Sequence, residues 1–161
     1  MNTRAGIGYD SHRFVAGRPL HLGGVVIPWT HGLAGHSDGD AILHAVVDAL
    51  LGAAALGDIG THFPDTDPQW KGVDSSRLAR EAVRMLGEHG LAPDHVDVTV
   101  VVERPRLSSH IPAMREATAK ALGLPVESVS LKAKTNEGMG WIGRGEGLAV
   151  FAVATVRGAS G

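Results

Sequence analysis

The sequence contains no cysteine and no long apolar run that is free of charges and glycines. Without cysteine there are no disulfides and no thiolate metal ligands, so a zinc ion would have to be held by histidine and carboxylate. The apolar runs are too short to span a membrane. The formal net charge of -2 gives no general attraction to nucleic acid or to an anionic membrane, and we expect neither as a partner. No signal-peptide core follows the first residues, so the expected location is the cytoplasm.

The order of the hydrophobic patterns predicts a single α+β domain over residues 1–157, followed by a short tail at 158–161. Strands are predicted at 5–9, 20–29, 96–103, 130–135 and 148–156, and helices through 40–51, over 74–89 and between Ser108 and Gly123. We expect a mixed β-sheet with helices packed on one face. The last strand has apolar residues on both faces, which favours burial against helices on one side and neighbouring subunits on the other.

The polar stretch 35–40 leads into an alanine- and leucine-rich helix. Ser37 or Asp38 is predicted to cap that helix, and its N-terminus is a candidate phosphate site. Asp40, His44 and Asp48 recur every four residues and so share one face. We therefore expect Asp40 and Asp48 to orient His44.

A second group of candidate metal ligands lies near the N-terminus. Asp10 and His12 are two residues apart, so on an extended backbone they point to the same side. Together with His44 they form the two-histidine, one-carboxylate set of a catalytic zinc site. A surface strand end and a hydrogen-bonded Asp–His pair are also compatible with this pattern. Glu137 is a candidate ligand for a hard cation such as Mg²⁺, or else a solvated loop acid.

Three loops complete the set of candidate binding elements. The acidic segment 57–68 carries two prolines, and we expect it to be irregular, either an ordinary turn or a substrate lid with Asp58 and Asp65 facing polar groups. The basic loop 104–107 suits phosphate or base contacts. Five glycines in the loop 136–147 would allow its backbone to approach a ligand closely.

Taken together, the motifs resemble a known family over nearly the whole chain. The matching pieces are GYDSH at 8–12, AGHSDGD at 34–40, His44, DALLGA at 48–53, GDIG at 57–60, FPDTD at 63–67 and GRGEG at 143–147. In this order they resemble the 2-C-methyl-D-erythritol 2,4-cyclodiphosphate synthase family of non-mevalonate isoprenoid biosynthesis. The resemblance implies a homotrimer with active sites between adjacent subunits.

The resemblance also implies a reaction and its residues. A phosphorus–oxygen lyase of this family cyclises 4-diphosphocytidyl-2-C-methyl-D-erythritol 2-phosphate and releases CMP. It implies Zn²⁺, or another divalent transition metal, at Asp10, His12 and His44, and Mg²⁺ or Mn²⁺ on the diphosphate at Glu137. His36 and Thr135 match transition-state stabilisers. The positions matching substrate contacts are Asp10, His12, His36, Ser37, Asp58, Gly60, Phe63, Asp65, Lys134, Thr135, Glu137, Trp141 and Arg144.

The resemblance further implies that segments 102–107 and 134–135 hold the cytidine. It also implies an apolar cavity along the trimer axis that takes an isoprenoid diphosphate, with Arg144 and Glu146 at its mouth. The family is often threonine-rich where this chain has Lys134, which leaves the cytidine contact at that position open. Two other hypotheses about the function remain: a mononuclear zinc phosphohydrolase that releases inorganic phosphate, and a non-catalytic trimer that binds isoprenoid diphosphates.

Overall fold

The computed structural model describes residues 2–159. In this range the chain forms seven strands and five helices. The strands are β1 (Arg4–Ala16), β2 (Leu20–Leu22), β3 (Val25–Ile27), β4 (His31–Leu33), β5 (Leu91–Val101), β6 (Val129–Lys134) and β7 (Gly147–Gly158). The helices are α1 (Ala41–Ala53), α2 (Ile59–His62), α3 (Ser75–Glu88), α4 (Ile111–Leu122) and α5 (Gly140–Gly143).

Five of the strands form one sheet in the order β4-β1-β7-β5-β6. The β5–β6 pair is parallel and the other neighbours are antiparallel, so the sheet is mixed. The strands β2 and β3 form a separate hairpin that turns at Gly23 and Gly24, both at positive φ. The α+β class is therefore confirmed.

Helix α1 packs directly onto β1 because two glycines of the strand face it. A Cβ atom on Gly6 would lie 2.1 Å from the carbonyl oxygen of Ala49, and one on Gly8 would lie 1.8 Å from that of Ala45. Alternation along the strand places Asp10 and His12 on this same side. The close approach at the glycines thus brings His44, on α1, next to both residues.

The opposite side of the sheet carries exposed apolar side chains on β1 and β7 in the single chain. Ile7 and Tyr9 of β1 and Phe151 and Val153 of β7 are 70, 51, 45 and 45% exposed, and the rings of Tyr9 and Phe151 lie 5.1 Å apart. The alternate residues of β7, Ala152 and Ala154, point to the helical side of the sheet and are fully buried. The predicted burial of the last strand is therefore observed on one face only.

Several local predictions were wrong, for identifiable reasons. The first strand continues through Asp10 and His12 to Ala16, because β7 and β4 pair with it along that length. The segment 57–68 is not wholly irregular. Asp58 accepts from the backbone N–H of Thr61 and caps α2, and Asp67 caps a 3-10 turn at Pro68–Trp70. The loop 136–147 likewise contains the short helix α5.

The ends of two other elements also differ from expectation. The N-cap of α1 is Asp40, rather than Ser37 or Asp38, and its carboxylate accepts from the N–H of Leu43. At the C-terminus β7 extends to Gly158, and the N–H of Ala159 donates to Gly90, so two residues of the predicted tail are tied to the fold. The rest of that tail, residues 160–161, lies outside the described residues. Among residues 2–159 no helix is long and apolar enough to cross a membrane.

Candidate active site

Asp10, His12 and His44 converge as predicted. The atoms Asp10 Oδ2 and His12 Nε2 lie 2.7 Å apart, and His44 Nδ1 lies 3.1 Å from the first and 3.4 Å from the second. Tetrahedral zinc bonds of about 2.0–2.1 Å place neighbouring ligand atoms about 3.3 Å apart. Two imidazole nitrogens and one carboxylate oxygen at this spacing could hold a divalent metal ion.

The second nitrogen of each imidazole is also engaged, which orients both rings. His12 Nδ1 donates to the backbone carbonyl of Ala34, leaving Nε2 for a metal. His44 Nε2 lies 3.0 Å from Ser37 Oγ and 2.9 Å from Ser75 Oγ. Because the Ser75 hydroxyl donates to Asp38, it accepts the proton of His44 Nε2, which leaves Nδ1 free to coordinate.

The charges of Asp10 and His12 support each other. Burial alone would raise the pKa of Asp10, but hydrogen bonds and positive charge from the two histidines outweigh it and lower that pKa below its ordinary value. Burial alone would lower the pKa of His12, but its hydrogen bond with Asp10 and the charge of that carboxylate raise it overall. Without a metal, both shifts therefore favour a carboxylate on Asp10 and an imidazolium on His12.

The predicted roles of Asp40 and Asp48 were wrong. Asp40 is 1% exposed and its carboxylate accepts from the N–H groups of Gly23, Gly24 and Leu43, so it ties the hairpin to α1. Burial raises the pKa of this carboxyl. Asp48 accepts from the N–H of Ile59. Neither carboxylate makes a hydrogen bond with His44, and the buried Asp40 carboxylate occupies the helix start that was the candidate phosphate site.

A cavity of about 380 Å³ opens beside the three ligands. Five other residues that were predicted to take part in the reaction or bind substrate line it: His36, Ser37, Gly60, Phe63 and Asp65. Phe63 is buried and packs edge-on against Trp70 with ring centroids 5.0 Å apart, which fixes this wall. Asp58, the cap of α2, lies on the same segment but is exposed.

A second, larger cavity of about 620 Å³ collects other predicted residues. Lys134, Thr135 and Arg144 line it together with the 102–107 segment. Nearby, Glu103 Oε1 accepts from the N–H groups of Asn136 and Gly138 at 2.7 and 3.2 Å. These bonds hold the residue between them, Glu137, which is exposed and has a positive φ of 54°.

The structure does not bring all of the predicted site together within one chain. The two cavities share no lining residue. Trp141 lines a third, smaller cavity with His12 and Glu146. A single chain thus presents the metal ligands in one place and the candidate cytidine contacts in another.

Arg18 and Ser75 have evident roles at these sites and were not predicted, and the prediction for the segment 102–107 did not single out Glu103. Each acts across 17 or more positions of sequence, as Ser75 does on His44 31 residues away. The sequence indicates that Asp74, directly before Ser75, is the N-cap of a helix. It does not indicate which distant residue the buried hydroxyl of Ser75 contacts.

Comparison with known proteins gives a consistent result. A sequence model described as the YgbB family matches residues 3–157. The chain is 56% identical over 156 residues to the 2-C-methyl-D-erythritol 2,4-cyclodiphosphate synthase of Salinibacter ruber, covering 97% of this chain and 99% of the relative. It is 58% identical over 153 residues to the protein of that name from Symbiobacterium thermophilum, covering 95 and 98%.

The fold is shared with solved structures. One is a CDP-bound form of 2C-methyl-D-erythritol-2,4-cyclodiphosphate synthase, which matches with a TM-score of 0.88 and 40% identity over 96% of this chain and 100% of that one. Another, a bifunctional IspDF from Campylobacter jejuni, matches with a TM-score of 0.94 and 40% identity over 98% of this chain. The present chain spans 42% of that bifunctional protein.

Proposed function

This chain belongs to the YgbB family, in which its relatives are 2-C-methyl-D-erythritol 2,4-cyclodiphosphate synthases, and on that premise we propose how its site works. It carries the cyclodiphosphate synthase activity of isoprenoid biosynthesis. The 2-phosphate of 4-diphosphocytidyl-2-C-methyl-D-erythritol 2-phosphate attacks the β-phosphorus of the same molecule. The bond to CMP breaks, CMP leaves and the ring closes, which is the reaction of a phosphorus–oxygen lyase.

The convergence of Asp10, His12 and His44 beside the 380 Å³ cavity carries this proposal. Asp10, His12 and His44 would hold a divalent ion, Zn²⁺ or a related transition metal, which would supply positive charge to orient and polarise a phosphate. The serine and carbonyl partners of the two imidazoles accept the proton of the other ring nitrogen and so aim the ligand nitrogens at the metal position.

The remaining roles belong to groups that bind and orient the substrate. His36 and Ser37 line the metal cavity and are the proposed donors to phosphate oxygens. Thr135 and Lys134 line the second cavity, which has the size to take a nucleoside, and Glu137 is the proposed ligand of Mg²⁺ or Mn²⁺ on the diphosphate. Because the nucleophile is a substrate phosphate, positioning and charge neutralisation are the main tasks of the protein.

We propose that the complete site forms between adjacent subunits of a homotrimer. Two observations support this: the two cavities are separate in one chain, and an apolar face around Tyr9 and Phe151 is left open. The ion pair of Arg144 and Glu146, 2.9 Å between Nη2 and Oε2, is the proposed mouth of an axial cavity for an isoprenoid diphosphate.

The test is product analysis with 4-diphosphocytidyl-2-C-methyl-D-erythritol 2-phosphate and Mg²⁺. Wild type should release CMP and cyclic diphosphate in equal amounts. His44→Ala should lower kcat by more than about 100-fold, since loss of a metal ligand exceeds the 10–100-fold cost of losing a ligand's outer partner.

His89→Ala is the matched control, because His89 is an exposed histidine at the end of α3 and should leave kcat unchanged. Release of inorganic phosphate would show a hydrolase instead. Binding of isoprenoid diphosphate without turnover by metal-loaded protein would show a non-catalytic binding protein.

A further inference from the structure

The segment that carries His36 and Ser37 is held by an arginine from elsewhere in the chain. Arg18 follows β1 in the turn after Gly17, and its side chain is partly buried. Its Nη1 donates to the carbonyl of Gly35 at 3.1 Å and its Nη2 donates to the carbonyl of Ser37 at 2.5 Å. One planar guanidinium thus bridges the carbonyl groups of the two residues that flank His36.

With these two bonds, every backbone carbonyl from Ala34 to Ser37 accepts a hydrogen bond. The carbonyl of Ala34 accepts from His12 Nδ1, and that of His36 accepts from the N–H of Gly72 at 2.8 Å. With the Arg18 bonds, four successive carbonyls from Ala34 to Ser37 are fixed from three directions. The segment is not part of a helix or strand, so its conformation depends on these contacts rather than on a regular hydrogen-bond ladder.

The guanidinium has no competing partner among residues 2–159, where Arg18 forms no salt bridge. The imidazole of His36 lines the metal cavity, and its Nε2 is buried without a hydrogen-bond partner within the described chain. Because no hydrogen bond to Nε2 from the described residues orients the His36 ring, its position depends on the backbone of residues 35–37, which Arg18 holds.

We propose that Arg18 is a positioning residue that sets the backbone of residues 35–37 and thereby aims His36 and Ser37 into the metal cavity. The planar guanidinium is needed because its two Nη atoms donate to the carbonyls of Gly35 and Ser37 at the same time. This inference rests on the proposed cyclisation for its kinetic consequence, but the fixing of the segment is independent of it.

The kinetic test compares Arg18→Ala with Arg115→Ala. Arg115 is a matched control because it also bridges two carbonyls, those of Val126 and Val129 at 3.1 and 2.7 Å, and lines neither cavity. Arg18→Ala should lower kcat about 10–100-fold, the cost of a small misplacement of reacting groups. Arg115→Ala should leave kcat within twofold of wild type.

A double-mutant cycle separates positioning from a general loss of structure. If Arg18 acts through His36, then Arg18→Ala in a His36→Ala background should lower kcat less than about threefold, since interacting residues are not additive. Equal losses with and without His36 would overturn the proposal.

A further measurement, hydrogen exchange, does not depend on turnover. In hydrogen exchange, the 34–39 segment should exchange faster in both Arg18→Ala and Arg18→Lys than in wild type, while Arg115→Ala should leave it unchanged. If Arg18→Lys restores wild-type kcat or protection, charge alone is sufficient and the proposal is wrong. If wild type shows no turnover, the proposed function fails while the exchange result still decides the role of Arg18.

Discussion

Asp10 and His12 share one hydrogen bond of 2.7 Å, and each alters the proton affinity of the other. The pKa of His12 is raised above its unfolded value, so this residue stabilises the metal-free fold below about pH 6.5 and loses that contribution as pH rises through the folded pKa. The pKa of Asp10 is lowered, so its contribution is present above about pH 3.8 and is lost on acidification.

We therefore expect opposite pH trends with and without metal. In chelator, the free energy of unfolding of wild type relative to His12→Asn should fall between pH 6 and pH 8. With saturating Zn²⁺ this difference in the free energy of unfolding should rise over the same range, because the metal binds deprotonated imidazole.

Urea denaturation at fixed protein concentration measures both trends, and His12→Asn serves as the reference that removes the pair. If the metal-free difference rises from pH 6 to pH 8, the assignment of an imidazolium to His12 is wrong.

At the scale of elements, the contact of α1 with β1 decides where the metal ligands meet. A Cβ atom on Gly8 would lie 1.8 Å from the carbonyl oxygen of Ala45, one residue after His44. Gly8→Ala should force the helix away from the strand, lower the free energy of unfolding by about 3 kcal/mol and weaken metal binding. Urea denaturation and a Zn²⁺ competition titration measure the two effects.

Gly87→Ala is the control for the same substitution in open space. Gly87 lies in α3 and an added Cβ there would have no neighbour within 4 Å, so alanine should stabilise the fold by about 0.5–1 kcal/mol. If Gly8→Ala is as well tolerated as Gly87→Ala, the glycine contact does not control the spacing of α1 and β1.

At the scale of the whole molecule, the open apolar face of the sheet must be explained. Contiguous exposed apolar surface on a folded domain marks an interaction site. We expect wild type to have three times the 16.8 kDa mass of the chain in multi-angle light scattering, and Phe151→Glu to shift the protein toward the single-chain mass.

Val26→Glu is the matched control, since Val26 is 60% exposed on the hairpin, away from the sheet face. It should leave the mass unchanged. A monomeric wild type, or a Phe151→Glu variant that keeps the trimer mass, would contradict the assignment of this face to the trimer contact.

The sequence by itself determined those features that depend on short-range periodicity. The two-residue spacing of Asp10 and His12 placed both on one side of a strand, and apolar periodicity located α3 and α4 closely. The residue types alone added His44 as the third candidate ligand, and ordered motifs over most of the chain identified the family.

Only the tertiary structure decided which polar groups meet. The four-residue spacing of Asp40 and His44 suggested a contact, yet the cap position turns Asp40 inward to Gly23 and Gly24. Ser75 reaches His44, and Arg18 reaches Gly35 and Ser37, across long stretches of chain. A periodic pattern reports which face of an element a residue occupies, whereas a hydrogen-bond partner depends on how elements pack, and here that packing is set by the close approach of α1 to the glycines of β1.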